Sequence, residues 1–139
     1  MKAQHIVLYS ILLLMASQVQ GASLSVGDNL KIESINGQRV NAQEVELKEG
    51  IHMVALKFSD FYVINAEDSG WVRSEPLFTR VQIEQGEAVM LQTHPLHSEE
   101  EAQEFLEDPV VNLVSNKRAD GRQMLMNQSQ IVTHLLQGK

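Results

Sequence analysis

The stretch LKIESINGQRVNAQEVELKEGIHMVALKF, residues 30–58, decides how the rest of the chain is read. Its two apolar-patterned runs turn on Ile35-Asn36-Gly37 and on Lys48-Glu49-Gly50. Glycine adopts left-handed backbone without steric cost, and three-residue hairpin loops commonly close on such a residue. A three-residue loop ending at Gly37 sets Ile32 opposite Val40 and Leu30 opposite Ala42, which makes one face apolar. The same rule at Gly50 pairs Leu47 with Ile51 and Val45 with Met53. The stretch predicts a β-sheet nucleus, and it carries no chemistry.

Downstream, Glu84-Gln85-Gly86 repeats this turn and pairs Val81 with Val89 and Leu77 with Thr93. A two-residue loop there would oppose Glu84 to Glu87, a like-charge pair costing about 0.2–1 kcal/mol. Asp68-Ser69-Gly70 is a fourth turn of the same kind, with Ala66 opposite Val72. Repeated turns of one chemistry predict a mainly β (α+β) fold, an antiparallel sandwich or meander with one short helix and a C-terminal helix.

Ile51, Met53 and Ala55 alternate with Val54, Leu56 and Phe58, so residues 51–58 are apolar on both faces and read as the central strand. The parity of apolar residues shifts between Ala42 and Val45, which predicts a bulge or break near residues 41–44. Residues 60–64 read as a further strand. Leu77, Thr79, Val81 and Ile83 form the cleanest alternation, facing inward.

Residues 1–22 read as a cleaved export signal: Lys2, an apolar run at 6–15, then Gly21 and Ala22. That run is shorter than the roughly 20 apolar residues a spanning helix needs, so no stable membrane insertion is expected after cleavage. Residues 23–139 form one β-rich domain, whose polar 23–29 segment reads as a flexible start. The expected location is periplasmic or secreted. With no cysteine there is no disulfide, thiol nucleophile or Cys-based metal site. Without Lys2, ten basic residues face eighteen acidic ones, a balance unsuited to nucleic acid or anionic membranes.

Ser98 followed by Glu101 marks a capping box, Ala102, Phe105 and Leu106 a short apolar stripe, and Asp108-Pro109 a helix stop. His94, His97 and a nearby glutamate have metal-ligand chemistry but no specific spacing, so no metal or other cofactor is expected. Residues 110–114 read as a strand and 117–122 as an exposed basic turn. Met124, Leu125, Ile131, Val132, Leu135 and Leu136 recur at helical spacing, which predicts a terminal helix over 123–137 packed on the sheet. Phe61, Tyr62 and Trp71 carry two readings. Aromatics are ordinarily core, and the alternative is an interaction surface. No Gly-x-Ser-x-Gly elbow, P-loop or dinucleotide fingerprint is present, so no catalytic residue is nominated and the chain is not expected to be an enzyme.

Asn36-Gly37, Leu47-Lys48-Glu49-Gly50-Ile51-His52, Arg73-Ser74-Glu75-Pro76, and Pro95-Leu96-His97-Ser98 with Glu101-Ala102, Phe105 and Pro109 follow one another in an order that resembles the YccT family. These are exported bacterial proteins with a domain of unknown function, and the resemblance spans residues 24–113. It implies a periplasmic or secreted protein and no known catalytic residues. The first two motifs are also similar to the turn pattern of PEGA-type β-sandwich modules. The resulting expectation is a non-catalytic module that binds another exported or envelope polypeptide, with restraint of β-prone or amyloid subunits as one use. The alternative is an envelope-polymer or small-ligand binder.

Overall fold

The structure is a computed structural model that describes residues 21–63, 65, 67 and 69–137. The predicted export signal lies outside the described residues except at its last two positions. Strand β1 (Ala22–Val26) begins there, burying Ala22, Leu24 and Val26 and turning Ser23 and Ser25 away from the core. The segment read as a flexible start is therefore a strand. Its five-residue alternation of small apolar residues and serine is too short to stand out from a polar linker.

Strands β1, β2 (Leu30–Ile35), β3 (Gln38–Ala42) and β4 (Glu44–Leu47) form one long hairpin bent across two sheets. β1 pairs with β4 in the first sheet and β2 with β3 in the second. The bend falls at residues 27–29 on one arm and at Gln43 on the other. Gln43 joins the arms there: its amide donates to the Leu30 carbonyl at 2.8 Å, and its own carbonyl accepts from Val26 N–H at 3.0 Å. The break expected at 41–44 is this corner, where Asn41 takes a φ of 48°.

The hairpin tip is tighter than expected. Asn36 and Gly37 take φ of 51° and 83°, and Ile35 pairs directly with Gln38. Two left-handed residues in succession give a loop whose twist matches the flanking strands, which favours it over a three-residue loop. A register shift between Ile32 and Ser34 then sets Ile32 opposite Ala42, not Val40. Nothing lies within 4 Å of a Cβ built at Gly37, so backbone strain alone opposes a side chain there. Gly37→Ala should lower the unfolding free energy by about 1 kcal/mol, read from urea denaturation.

Strand β5 (Gly50–Val63) is continuous, joining the two strands expected over 51–58 and 60–64. It is the central strand of the second sheet. β2 lies on one edge, and β7 (Leu77–Ile83) and β6 (Ser69–Arg73) pair in turn along the other. Between them Ser74 substitutes its side chain for a backbone group: Phe58 N–H donates to Ser74 Oγ at 2.9 Å, and Phe58 O accepts from Ser74 N–H at 3.0 Å.

The turns at Gly50 and Gly86 carry the chain between sheets and do not close hairpins. Ile51 pairs with Gln82 and Met53 with Arg80, while Leu47 and Val45 pair with Ala22 and Leu24. Likewise Val81 pairs with His52, and β8 (Ala88–Gln92) lies in the first sheet, parallel to β1 and antiparallel to β9 (Val110–Ser115). Leu77 pairs with Leu56, not Thr93, and Val72 with Asp60, not Ala66. Crossing between layers lets each alternating strand bury its apolar side against the other layer, which a flat meander cannot do.

Helix α1 (Glu99–Glu107) starts at Ser98, whose hydroxyl accepts from Glu101 N–H at 3.1 Å. Ala102 and Phe105 face the core, and the Phe105 ring lies 5.3 Å from that of Phe58. The second helix, α2 (Gln128–Leu136), is shorter than expected, because residues 121–124 zip onto β9 as β10 (Gly121–Met124). Met126 then exchanges backbone bonds of 2.7 and 2.8 Å with Phe78 on the free edge of β7. Asn127 and Gln130 cap the helix reciprocally. Of the predicted stripe, Leu125 and Ile131 are buried, and Met124, Val132, Leu135 and Leu136 are exposed.

Candidate interaction surface

The distal halves of β5 and β6 form a two-stranded ribbon with Phe61 opposite Trp71, Tyr62 opposite Gly70 and Val63 opposite Ser69. Successive side chains of a strand point to opposite faces, so Phe61 and Tyr62 cannot share one environment. Tyr62 and Val72 turn inward and are buried at 8% and 5% exposure. Phe61, Val63 and Trp71 turn outward at 46%, 73% and 55%. Of the two readings of the aromatics, core packing holds for Tyr62 and fails for Phe61 and Trp71. Tyr62 accordingly drops out of any interaction surface. Periodicity was the signal that could have separated them, had the register of the central strand been carried through Ser59.

On the outer face the rings of Phe61 and Trp71 meet edge to face, centroids 5.3 Å apart. The Arg73 guanidinium lies 5.0 Å over the Trp71 ring. Arg73 has no carboxylate partner among the described residues, whose salt bridges are Lys57–Glu33 and Arg118–Glu87. The surface thus presents three large apolar side chains and one guanidinium whose charge is balanced only by an aromatic face.

Beneath the ribbon, the Tyr62 hydroxyl donates to Asp60 Oδ2 at 3.1 Å, and Asp60 Oδ1 accepts from Phe61 N–H at 2.9 Å. Burial, the Asp60 hydrogen bond and the charges of Asp60 and Glu101 push the Tyr62 phenol up to about 12. Tyr62 is the one tyrosine after the signal. Phenolate absorbance of the mature protein should therefore appear near pH 12 while it stays folded. Because the folded pKa is raised, this group's contribution to stability is complete below the unfolded value of 10.0 and is lost between there and about 12. A Tyr62→Phe variant should lose that alkaline slope.

Two further clusters have partners that their sequence reading did not name. Arg118, in the turn expected to be merely exposed, reaches back to the buried Glu87 carboxylate at 2.8 Å and to the Gln82 carbonyl at 2.7 Å. This ties the β9–β10 connection to the β7–β8 corner and is a fold clamp. His94 lies against the Phe105 ring, and His97 N–H donates to Glu101 Oε2 at 3.3 Å. Among the described residues no group of three His, Asp or Glu is placed to hold a metal ion. A cavity of about 300 Å³ beside the ribbon is lined by Asp28, Asn29, Asp60, Thr93 and His94.

Residues 23–138 match a family described as uncharacterized protein conserved in bacteria (DUF2057). The chain belongs to this DUF2057 family. The match passes residue 113, where the motif resemblance ended, and takes in β10 and α2 of this DUF2057 member. Relation to PEGA-type modules forms no part of it. No curated protein and no solved structure matches the chain. Among the described residues of this DUF2057 protein no helix is long and apolar enough to cross a membrane.

Proposed function

We propose that this protein is an exported, non-catalytic binding module whose outward Phe61–Trp71 pair engages another exported or envelope polypeptide in the periplasm or outside the cell. The single supporting observation is that pair, held in solvent on a ribbon whose opposite face is packed into the core. A compact core had an inward position available to each strand of the ribbon, and it took Tyr62 and Val72 instead. Exposed aromatics beside an arginine are the residue types that concentrate binding energy at protein interfaces. The open sheet edge beside them suits clients with extended, β-prone segments, amyloid subunits included.

A second reading, stacking on an envelope glycan, uses the same aromatics. Against it, Arg73 lies over the Trp71 ring, on a face that a sugar would need. The two separate in one experiment. Tagged mature protein is used to capture polypeptides from envelope extract, alongside Phe61→Ser and Trp71→Ser variants of unchanged thermal midpoint. One exported polypeptide, retained by the wild type and reduced at least roughly tenfold by either variant, supports the module. A shift of Trp71 fluorescence with peptidoglycan fragments, and no polypeptide retained, would replace it with the glycan reading.

A further inference from the structure

We propose that the partner is captured by strand addition to the free edge of β6, as an extended segment bearing an apolar side chain beside Trp71 and a carboxylate beside Arg73. This rests on the reading of the ribbon as a polypeptide-binding surface and goes beyond it in naming the mode and the partner's chemistry.

The backbone supports the edge. Ser74 N–H donates to the Phe58 carbonyl. Antiparallel pairing alternates, so Val72 and Gly70 aim their backbone groups at β5, while Trp71 and Arg73 aim theirs away from it. Among the described residues no hydrogen bond occupies the backbone groups of Trp71 or Arg73, and β6 pairs with no strand but β5. On the opposite side of the ribbon, the corresponding Phe61 N–H is already occupied by Asp60. One edge of the ribbon is blocked by a side chain and the other is open.

The remaining sheet edges carry features that discourage pairing. β3 is distorted by the register shift between Ile32 and Ser34 and by left-handed Asn41. β4 presents Glu44 and Glu46 outward, and β10 is four residues long with Gly121 and Arg122. β7 is closed by Met126. Bulges, charges and short length are the usual protections of an edge strand, and β6 has no bulge or proline within residues 69–73. Its outer face sets the side-chain preference. A third strand brings its residues about 4.7–4.9 Å from β6, within reach of both the Trp71 ring and the Arg73 guanidinium. The unpaired guanidinium selects a carboxylate, and the exposed rings select an apolar neighbour two positions along.

The test is a synthetic peptide alternating valine and glutamate, added to the mature protein. Trp71 fluorescence, from the chain's one tryptophan, and amide hydrogen exchange at Trp71 and Arg73 are the readouts. Binding should slow exchange at both amides, and N-methylation of the peptide's edge-facing amides should weaken it by about tenfold or more. Arg73→Gln should remove the preference for glutamate over glutamine in the peptide. Equal binding of the methylated peptide, or no slowing at Trp71 and Arg73, overturns strand addition. So does a peptide-free dimer in which those amides are already protected, since the edge would then be filled by a second copy. If envelope capture still depends on Phe61 and Trp71 in those cases, the polypeptide-binding reading stands without this mode. If capture fails as well, both fall.

Discussion

Glu87→Ala should lower the unfolding free energy by about 2–4 kcal/mol, one of the two largest single losses expected in this chain. Glu87 is 1% exposed, and its carboxylate accepts from Glu84 N–H at 2.9 Å, from the Ser115 hydroxyl at 2.5 Å and from Arg118 Nε at 2.8 Å. Truncation takes the shared acceptor from the exposed Glu84 N–H and the half-buried Ser115 hydroxyl and releases Arg118. Glu87→Gln keeps the shape and an acceptor oxygen while removing the charge, and should cost less than half as much. Acid adds a second signature. Burial by itself would raise the Glu87 carboxyl, but donation from Ser115 and Glu84 together with the Arg118 charge outweighs it and holds the group below its ordinary value of 4.5. A depressed folded pKa contributes stability above the unfolded value, and that contribution is lost as pH falls through the folded one. Wild-type stability should therefore decline as the medium is acidified below about pH 4.5, the ordinary value, more steeply than that of Glu87→Gln. Parallel curves from urea denaturation across that range would contradict the clamp.

Phe58→Ala should cost a similar amount, about 3–5 kcal/mol, by a different route. Phe58 is 1% exposed and sits where β5 passes from its β7 partner to its β6 partner, with the Phe105 ring of α1 tilted against it at 5.3 Å. Removing the ring opens a cavity between the second sheet and α1. A nine-residue helix does not hold itself in water and depends on this contact. Amide exchange in α1 should accordingly rise out of proportion to the global loss, and Phe58→Leu should restore most of both. Unchanged α1 protection in Phe58→Ala would show that Ala102 alone docks the helix. The ribbon shares this dependence, because Tyr62 and Val72 belong to the same buried cluster as Phe105. The outer-face variants Phe61→Ser and Trp71→Ser, at positions 46% and 55% exposed, should leave the thermal midpoint within a few degrees of wild type.

Strands were legible wherever local alternation was unambiguous. Leu77, Thr79, Val81 and Ile83 face inward as read, residues 51–58 are central, and the Ser98 cap starts its helix where expected. Pairing was not legible, because a glycine turn that reverses a chain within one sheet and one that passes it to the opposite layer use the same residues. Gly37 does the first, and Gly50 and Gly86 do the second. Arg118 illustrates the same limit for side chains. In sequence it is one cation in a basic turn, and its partner Glu87 is thirty-one positions away.

The sequence by itself determined the β-rich class, the two helices, the lack of thiol chemistry and the acidic balance, because composition and period are local properties of the chain. Only the tertiary structure decided which aromatics face water. Phe61, Tyr62 and Trp71 have similar apolar character, and what separates them is the parity of the β5–β6 register together with the buried cluster of Ala102 and Phe105 that Tyr62 joins on the inner face. That same register leaves the β6 edge open beside Trp71, where the candidate surface lies.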